Sequence, residues 1–201
     1  MTDYICILDF EATCWDNSKD HEIIEFPSVL LKWDDDNKIT IVDEFQKFVK
    51  PKNYPVVSEF CRKLTGITQE IVDSKGIDLR SAIKSHASWL NEHAIQTNIT
   101  IVTCGRWDLK TMLPADLKHI SMIPEKIYMR FVNLKDIFEG VVQCGQSGSM
   151  VNMLDHFKLG LQGRHHSGID DCRNMVRIFE RLVENGLSKE KFLNSLQYVK
   201  Y

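Results

Sequence analysis

The sequence predicts an α/β fold, a five-stranded mixed sheet flanked by helices. Three observations carry this prediction. Runs 4–8 (YICIL) and 99–103 (ITIVT) are continuous, apolar and rich in β-branched residues, as in strands covered on both faces. Runs 26–33 and 40–49 flank Asp34-Asp35-Asp36-Asn37, a turn sequence, and read as paired strands. Segments 79–93 and 168–184 repeat apolar residues at three- and four-residue spacing, which is helical.

Taken in order, 4–8, 26–33 and 40–49 form an antiparallel meander that Pro51 and Pro55 end. A short helix over 58–64 follows, with Gly66 just past its end, where a positive φ is cheap. The helix over 79–93 places Ile83, Ala87 and Leu90 on one face. Strand 99–103 leads to a helix starting at 109–113, which Pro114 should interrupt. A fifth strand is expected over 131–134 and a helix over 135–142. Residues 143–149 read as a loop, with Ser149 capping a helix to about 157. Loop 158–167 precedes the long helix 168–184, whose Cys172, Val176, Phe179 and Val183 share a face. Ser188 caps a short final helix. With no repeat or linker in the 201 residues, the expectation is a single domain over 1–201.

Composition narrows the class. Hydrophobic residues are 43% and charged residues 26%, values of a folded globular chain. No apolar run approaches ~18 residues, so no membrane span is expected, and the first residues do not read as a secretory signal. Cys6, Cys14, Cys61, Cys104, Cys144 and Cys172 include no Cys-x-x-Cys pair, which argues against a structural zinc site. A reducing compartment, cytoplasm and/or nucleus, is expected. The net charge of −3 opposes a simple basic nucleic-acid binder. That charge is uneven: residues 1–44 carry −9 and residues 45–201 carry +6. A surface with uneven loops would give this, and so would a cation site beside an anion-binding surface.

The most informative segment is Asp9-Phe10-Glu11-Ala12-Thr13, at the carboxyl end of the first strand. Residues two apart in a strand point to one side, so Asp9 and Glu11 can aim two carboxylates at one point. Such a pair repels unless a cation or proton intervenes, and hard divalent cations take oxygen ligands of this type. Asp108 follows the fourth strand, and Asp171 lies in the first turn of the long helix, five residues after His166. Singly, each acid has a plain alternative as a helix cap or a partner of the helix dipole.

Together, in this order, they resemble the DEDDh group of 3′-to-5′ exonucleases, the DnaQ-like branch of the RNase H-like (exonuclease) fold. The likeness is closer to the eukaryotic exoribonucleases that trim histone mRNA ends, small interfering RNA and ribosomal RNA. The segments that carry it are Asp9-Phe10-Glu11-Ala12-Thr13-Cys14, His21-Glu22-Ile23-Ile24-Glu25-Phe26-Pro27, Leu64-Thr65-Gly66-Ile67-Thr68, Trp107-Asp108 and Gly168-Ile169-Asp170-Asp171. It extends over roughly residues 4–182.

The resemblance implies metal-dependent hydrolysis of phosphodiesters at the 3′ end of RNA and/or DNA, releasing nucleoside 5′-monophosphates. Asp9, Glu11, Asp108 and Asp171 would hold two divalent cations, Mg²⁺ with Mn²⁺ as the alternative. His166 would be the general base, since its pKa near ~6.5 suits a proton acceptor at neutral pH. Ala12 and Thr13 would meet the terminal ribose, Leu64 and Thr65 would wedge against the last bases, and Phe10 and Trp107 would stack on a base or pack in the core. Arg164 would reach phosphate or remain in solvent. Arg173, Arg177 and Arg181, at i, i+4 and i+8, form a stripe that would bind a backbone or be a solvated face.

The chain departs from the family pattern at His165, where relatives usually have proline. The core fills the chain, so selectivity for single-stranded or 3′-overhang substrates would come from this domain or from a protein partner. Two rival readings remain on residues alone. An aspartate-nucleophile phosphatase would need an aspartate at Glu11 and would leave His166 without a role. A non-catalytic nucleic-acid-binding or protein-interaction module on the same fold would have no need of four converging carboxylates.

Overall fold

The computed structural model describes residues 3–15 and 21–200. Asp16 and Asp20, two of the acids in the amino-terminal excess, lie outside the described residues. The strands are β1 (Tyr4–Leu8), β2 (Glu11–Ala12), β3 (Ile23–Trp33), β4 (Ile39–Phe48), β5 (Ile99–Thr103), β6 (Arg130–Asn133) and β7 (Leu196–Tyr198). The helices are α1 (Glu59–Thr65), α2 (Gln69–Lys75), α3 (Leu79–His93), α4 (Leu113–His119), α5 (Leu134–Val142), α6 (Met150–His156), α7 (Gly168–Glu184) and α8 (Lys189–Asn194). None is long and apolar enough to cross a membrane.

The mixed α/β sheet flanked by helices is the architecture expected, but among the described residues it has seven strands, not five. The order is β2-β3-β1-β5-β6-β7, with β4 also paired to β3. β1 runs antiparallel to β3 and parallel to β5, and β3 is antiparallel to β4, as the meander required. The two additional strands are short. β2 has two residues and β7 has three, too few for an alternation to register. β3 starts at Ile23 rather than Phe26 because Glu25, although charged, is buried within it.

β1 and β2 pair with the same edge of β3. Leu8 lies opposite Ser28 and Glu11 opposite Glu25, so Asp9 and Phe10 form a break between two short ladders. Pro27 occupies the stretch of β3 that spans this break.

Two apolar layers hold the sheet. On one face, Ile5, Ile7, Val29, Leu31 and Trp33 meet α5, α6 and α7. Trp33, Phe179 and Phe192 meet edge-on at centroid distances of 5.5–5.7 Å, fixing α7 and α8 to β3. Each such buried ring contributes about 1.5–3 kcal/mol. On the other face, Cys6, Leu8, Phe26 and Leu30 meet α3 and α4. There the fully buried His86 bonds the Tyr128 hydroxyl at 2.7 Å and Ser28 Oγ at 3.0 Å. Burial pushes its pKa down to about 3, so it stays neutral.

The helix signals were largely legible. Ser58 caps α1, whose end at Gly66 has φ +79°, and Ser149 caps α6 in a reciprocal pair with Asn152. Pro114 does not interrupt its helix. A π-helical turn over Asp108–Met112 runs straight into α4, and Pro114 sits at their junction, where the looser five-residue bonding of the π turn accommodates the missing N–H. α2, capped by Thr68, was not anticipated.

Candidate active site

Each acidic side chain comes from a different local device. Asp9 directly follows β1, the strand clasped between β3 and β5, and Glu11 opens β2. Asp108 begins the π-helical turn, and its Oδ1 accepts the Phe10 backbone N–H at 2.9 Å, which ties it to the break after β1. Asp171 lies in the first turn of α7, its N–H bonded to the Ser167 carbonyl at 2.8 Å.

α7 can bring Asp171 close because its first residue is glycine. A Cβ on Gly168 would lie 2.7 Å from Pro27 Cγ, 2.8 Å from the Asp9 carbonyl and 3.2 Å from Glu25 Oε2. Carboxylate oxygens of Asp9, Glu11 and Asp171 therefore lie within 4.8 Å of one another.

The electrostatics follow from burial first and from this crowding second. Burial, then the charges of Asp108, Glu11, Asp171 and Glu25, hold the Asp9 carboxyl well above its ordinary range. Burial and the facing Glu25 push Glu11 up to about 9. Burial raises Asp108 to about 6 against the Phe10 N–H, and raises Asp171 to about 6 against the His166 N–H. Asp171 Oδ2 accepts that N–H at 2.8 Å, while its buried Oδ1 has no hydrogen-bond partner. An anionic donor set with an orphaned buried oxygen fits divalent cations, which prefer oxygen ligands.

His166 comes to the same place from the loop before α7. Its backbone is left-handed at φ +64°, unusual for a residue with a Cβ. Its ring stacks on His165 at 3.9 Å and 23°. Burial, with His165 and Arg164 adding, lowers its pKa. Asp170, beside Asp171, braces this loop instead of joining the acids: it accepts from the Arg164 N–H at 3.0 Å and from Arg173 at 3.1 Å.

The expected substrate contacts divide. Trp107, beside Asp108, is 52% exposed, with its ring 5.6 Å from that of His21. Leu64 and Ala12 are half-buried. Three expectations need correcting. Phe10 is 5% exposed and packs edge-on against Phe26 at 4.7 Å, so its ring is core and only its backbone serves the site. Thr13 is fully buried, and Glu22 takes up both its N–H and its hydroxyl. Thr65, 3% exposed, closes the end of α1 by donating to the Cys61 carbonyl and accepting from the Ile67 N–H.

The arginines are also occupied. Arg164 donates to the Lys63 and Leu64 carbonyls at the end of α1 and lies over Gly66, tying the segment 64–66 to the histidine loop. Arg173 grips Glu44 through two bonds, Arg177 reaches the Gly160 carbonyl, and Arg181 pairs with Glu184. The stripe is therefore a solvent-exposed face whose arginines are paired within the chain.

Sequence reasoning missed Glu25. It is 2% exposed, faces Glu11 across the β2–β3 ladder, and accepts from Gln46 at 2.6 Å and from the Gly168 N–H at 3.2 Å. The signal was a carboxylate in an otherwise apolar run, which burial makes costly unless it is bonded.

Comparison with known proteins gives a consistent result. The family model described as Exonuclease matches residues 6–179. ERI1 exoribonuclease 3 of Homo sapiens is 35% identical over 188 residues, covering 91% of this chain and 54% of that protein. 3'-5' exoribonuclease 1 of Mus musculus is 34% identical over 190 residues, covering 92% and 54%. The chain thus spans about half the length of the curated relatives it matches. A solved structure of the nuclease domain of 3'hExo, a DEDDh family member, bound to rAMP, superposes with a TM-score of 0.84 at 32% identity, covering 92% of this chain and 94% of that one. A 3'-exonuclease solved for its 3'-end specific recognition of a histone mRNA stem-loop gives 0.86 at 29% identity, covering 99% and 91%. With the family model matching residues 6–179 and relatives similar in sequence and topology, the chain belongs to the exonuclease family.

Proposed function

We propose that the protein is a metal-dependent 3′-to-5′ exonuclease that removes nucleotides from the 3′ end of RNA. The observation that carries this is the convergence of Asp9, Glu11 and Asp171 within 4.8 Å, with a partnerless buried oxygen on Asp171. DEDDh exonucleases work with divalent cations, and this donor set fits them. Asp9, Glu11, Asp108 and Asp171 would hold two, Mg²⁺ or Mn²⁺, which supply charge neutralisation for an anionic phosphodiester and an activated water.

The chain's own residues do the rest. His166, kept neutral by the lowering of its pKa, accepts the proton of the attacking water. The Asp171 carboxylate fixes the His166 backbone and so the place of the ring. The 3′ oxygen of the penultimate nucleotide leaves, and a nucleoside 5′-monophosphate is released. Trp107 offers an exposed ring to a base, Leu64 wedges against the last base pair or stack, and Ala12 faces the terminal ribose. One exonuclease domain over 1–201, acting in cytoplasm and/or nucleus with selectivity set by this domain or a protein partner, completes the proposal.

End-labelled single-stranded RNA and DNA, each with Mg²⁺, Mn²⁺ or EDTA, test it. The expected result is cation-dependent shortening of RNA from the 3′ end with mononucleotide product. Binding without product would make the chain a non-catalytic binder. Phosphate release from small phosphoesters with oligonucleotides intact would make it a phosphatase.

A further inference from the structure

A second group of metal-capable side chains overlaps the first and differs from it in chemistry. One ring nitrogen each of His165 and His166 and a carboxylate oxygen of Asp171 lie within 4.8 Å of one another. The imidazole planes are 23° from parallel with centroids 3.9 Å apart, so the two rings lie face to face. Asp171 is 4% exposed, and its Oδ1 has no hydrogen-bond partner, while Oδ2 is bound to the His166 N–H. Both histidines are half-buried, within reach of an ion from solvent.

Two nitrogens and one oxygen are a donor set for a borderline ion. Zn²⁺ binds His nitrogen and carboxylate oxygen at ~2.0–2.1 Å, with tetrahedral ligand atoms ~3.4 Å apart, so binding one ion would turn the two rings out of their stack. Mg²⁺ prefers oxygen ligands, which the Asp9, Glu11 and Asp171 group supplies. The two groups share Asp171 and sort ions by donor type. We propose that His165, His166 and Asp171 form an inhibitory site for Zn²⁺ or a similar nitrogen-preferring divalent ion. A neutral imidazole has one acceptor nitrogen, so an ion bound at His166 takes the lone pair that would accept the proton. This inhibitory half rests on His166 acting as the general base; the binding half does not.

The test uses the full chain, with His165→Phe retaining a stacked ring and His165→Gln retaining a polar side chain. Zn²⁺ affinity is measured by competition with a chromophoric chelator, and Co²⁺ is followed by its visible absorption. Zn²⁺ affinity is expected to fall at least ~10-fold in both variants, with loss of the intense tetrahedral Co²⁺ bands. In Mg²⁺-supported RNA trimming, each relative to its own zinc-free rate, Zn²⁺ should inhibit the wild type at least ~10-fold more potently than the variants. Equal affinities and equal inhibition in all three would overturn the site, placing Zn²⁺ at the carboxylates. If the variants do not fold, NMR of the wild-type histidine rings decides. Zn²⁺ but not Mg²⁺ should shift both His165 and His166, and unshifted rings overturn the proposal. A protein that binds Zn²⁺ as expected but trims no RNA would refute the exonuclease reading and leave the site standing.

Discussion

Gly168→Ala is a one-carbon change that tests whether the approach of α7 to β1 sets the acid cluster. The added Cβ would meet Pro27 Cγ at 2.7 Å and the Asp9 carbonyl at 2.8 Å. Ordinary contact begins at 3.4 Å, so the helix start must retreat by about 0.6–0.7 Å, and the carbonyl, being backbone of the clasped β1–β2 break, yields little. Asp171, three residues on in the same helix turn, moves with it. Overpacking of this kind costs about 1–3 kcal/mol, while the better helix propensity of Ala returns at most about 1 kcal/mol. For a chain of this length the net lowers Tm by a few degrees, roughly 2–4 °C per kcal/mol. A displacement approaching 1 Å at a reacting centre costs on the order of 10²-fold in rate. Thermal unfolding and single-turnover trimming of labelled RNA read the two effects. A variant with raised Tm and an unchanged rate would mean that propensity alone acts there, and the reasoning would be refuted.

His166→Ala should lower kcat by roughly 10²–10⁴-fold and remove the acid limb of its pH profile, with a smaller loss for His165→Ala; the reverse order would reassign the base. Trp107→Ala should raise KM for single-stranded RNA by roughly 5- to 150-fold, the equivalent of ~1–3 kcal/mol of stacking, with little change in kcat; an unchanged KM would place the ring outside the strand's path. The carboxyls raised to about 6 at Asp108 and Asp171 and to about 9 at Glu11 bind protons more tightly folded than unfolded. Without cations, their contribution to stability is therefore full below about pH 4 and is lost as pH rises through 6 and then 9. In EDTA, Tm should fall between about pH 5 and pH 9, and Mg²⁺ should restore it near pH 8 but add little near pH 5. A metal-free Tm that climbs over that range would contradict the burial of these acids.

The acids and the histidine were legible because each stands at the end of a strongly patterned element: Asp9 after a continuous β-branched run, Asp171 at the start of a long amphipathic helix. What escaped was whatever depends on a partner far along the chain. Glu25 reads as a strand-breaking charge until Gln46 and the Gly168 N–H are seen to hold it. Arg164, Arg173 and Arg177 look like an anion-binding reserve until Glu44 and main-chain carbonyls claim them. Phe10 and Thr13 flank the right acids, yet local spacing gives no information on whether a side chain beside a ligand turns inward. Two- and three-residue strands carry no period at all, which is why the sheet is larger than its pattern.

The left-handed backbone of His166 sets folding and chemistry against each other at one residue. A side chain with a Cβ pays about 1 kcal/mol or more to sit at φ +64°, a conformation that glycine takes freely and asparagine tolerates. Selection for thermal stability alone should therefore enrich His166→Gly and His166→Asn, and the survivors should be well-folded proteins without the proposed proton acceptor. A library sorted by heat would drift away from the imidazole at this position, and on the proposed mechanism only a demand for turnover would retain it.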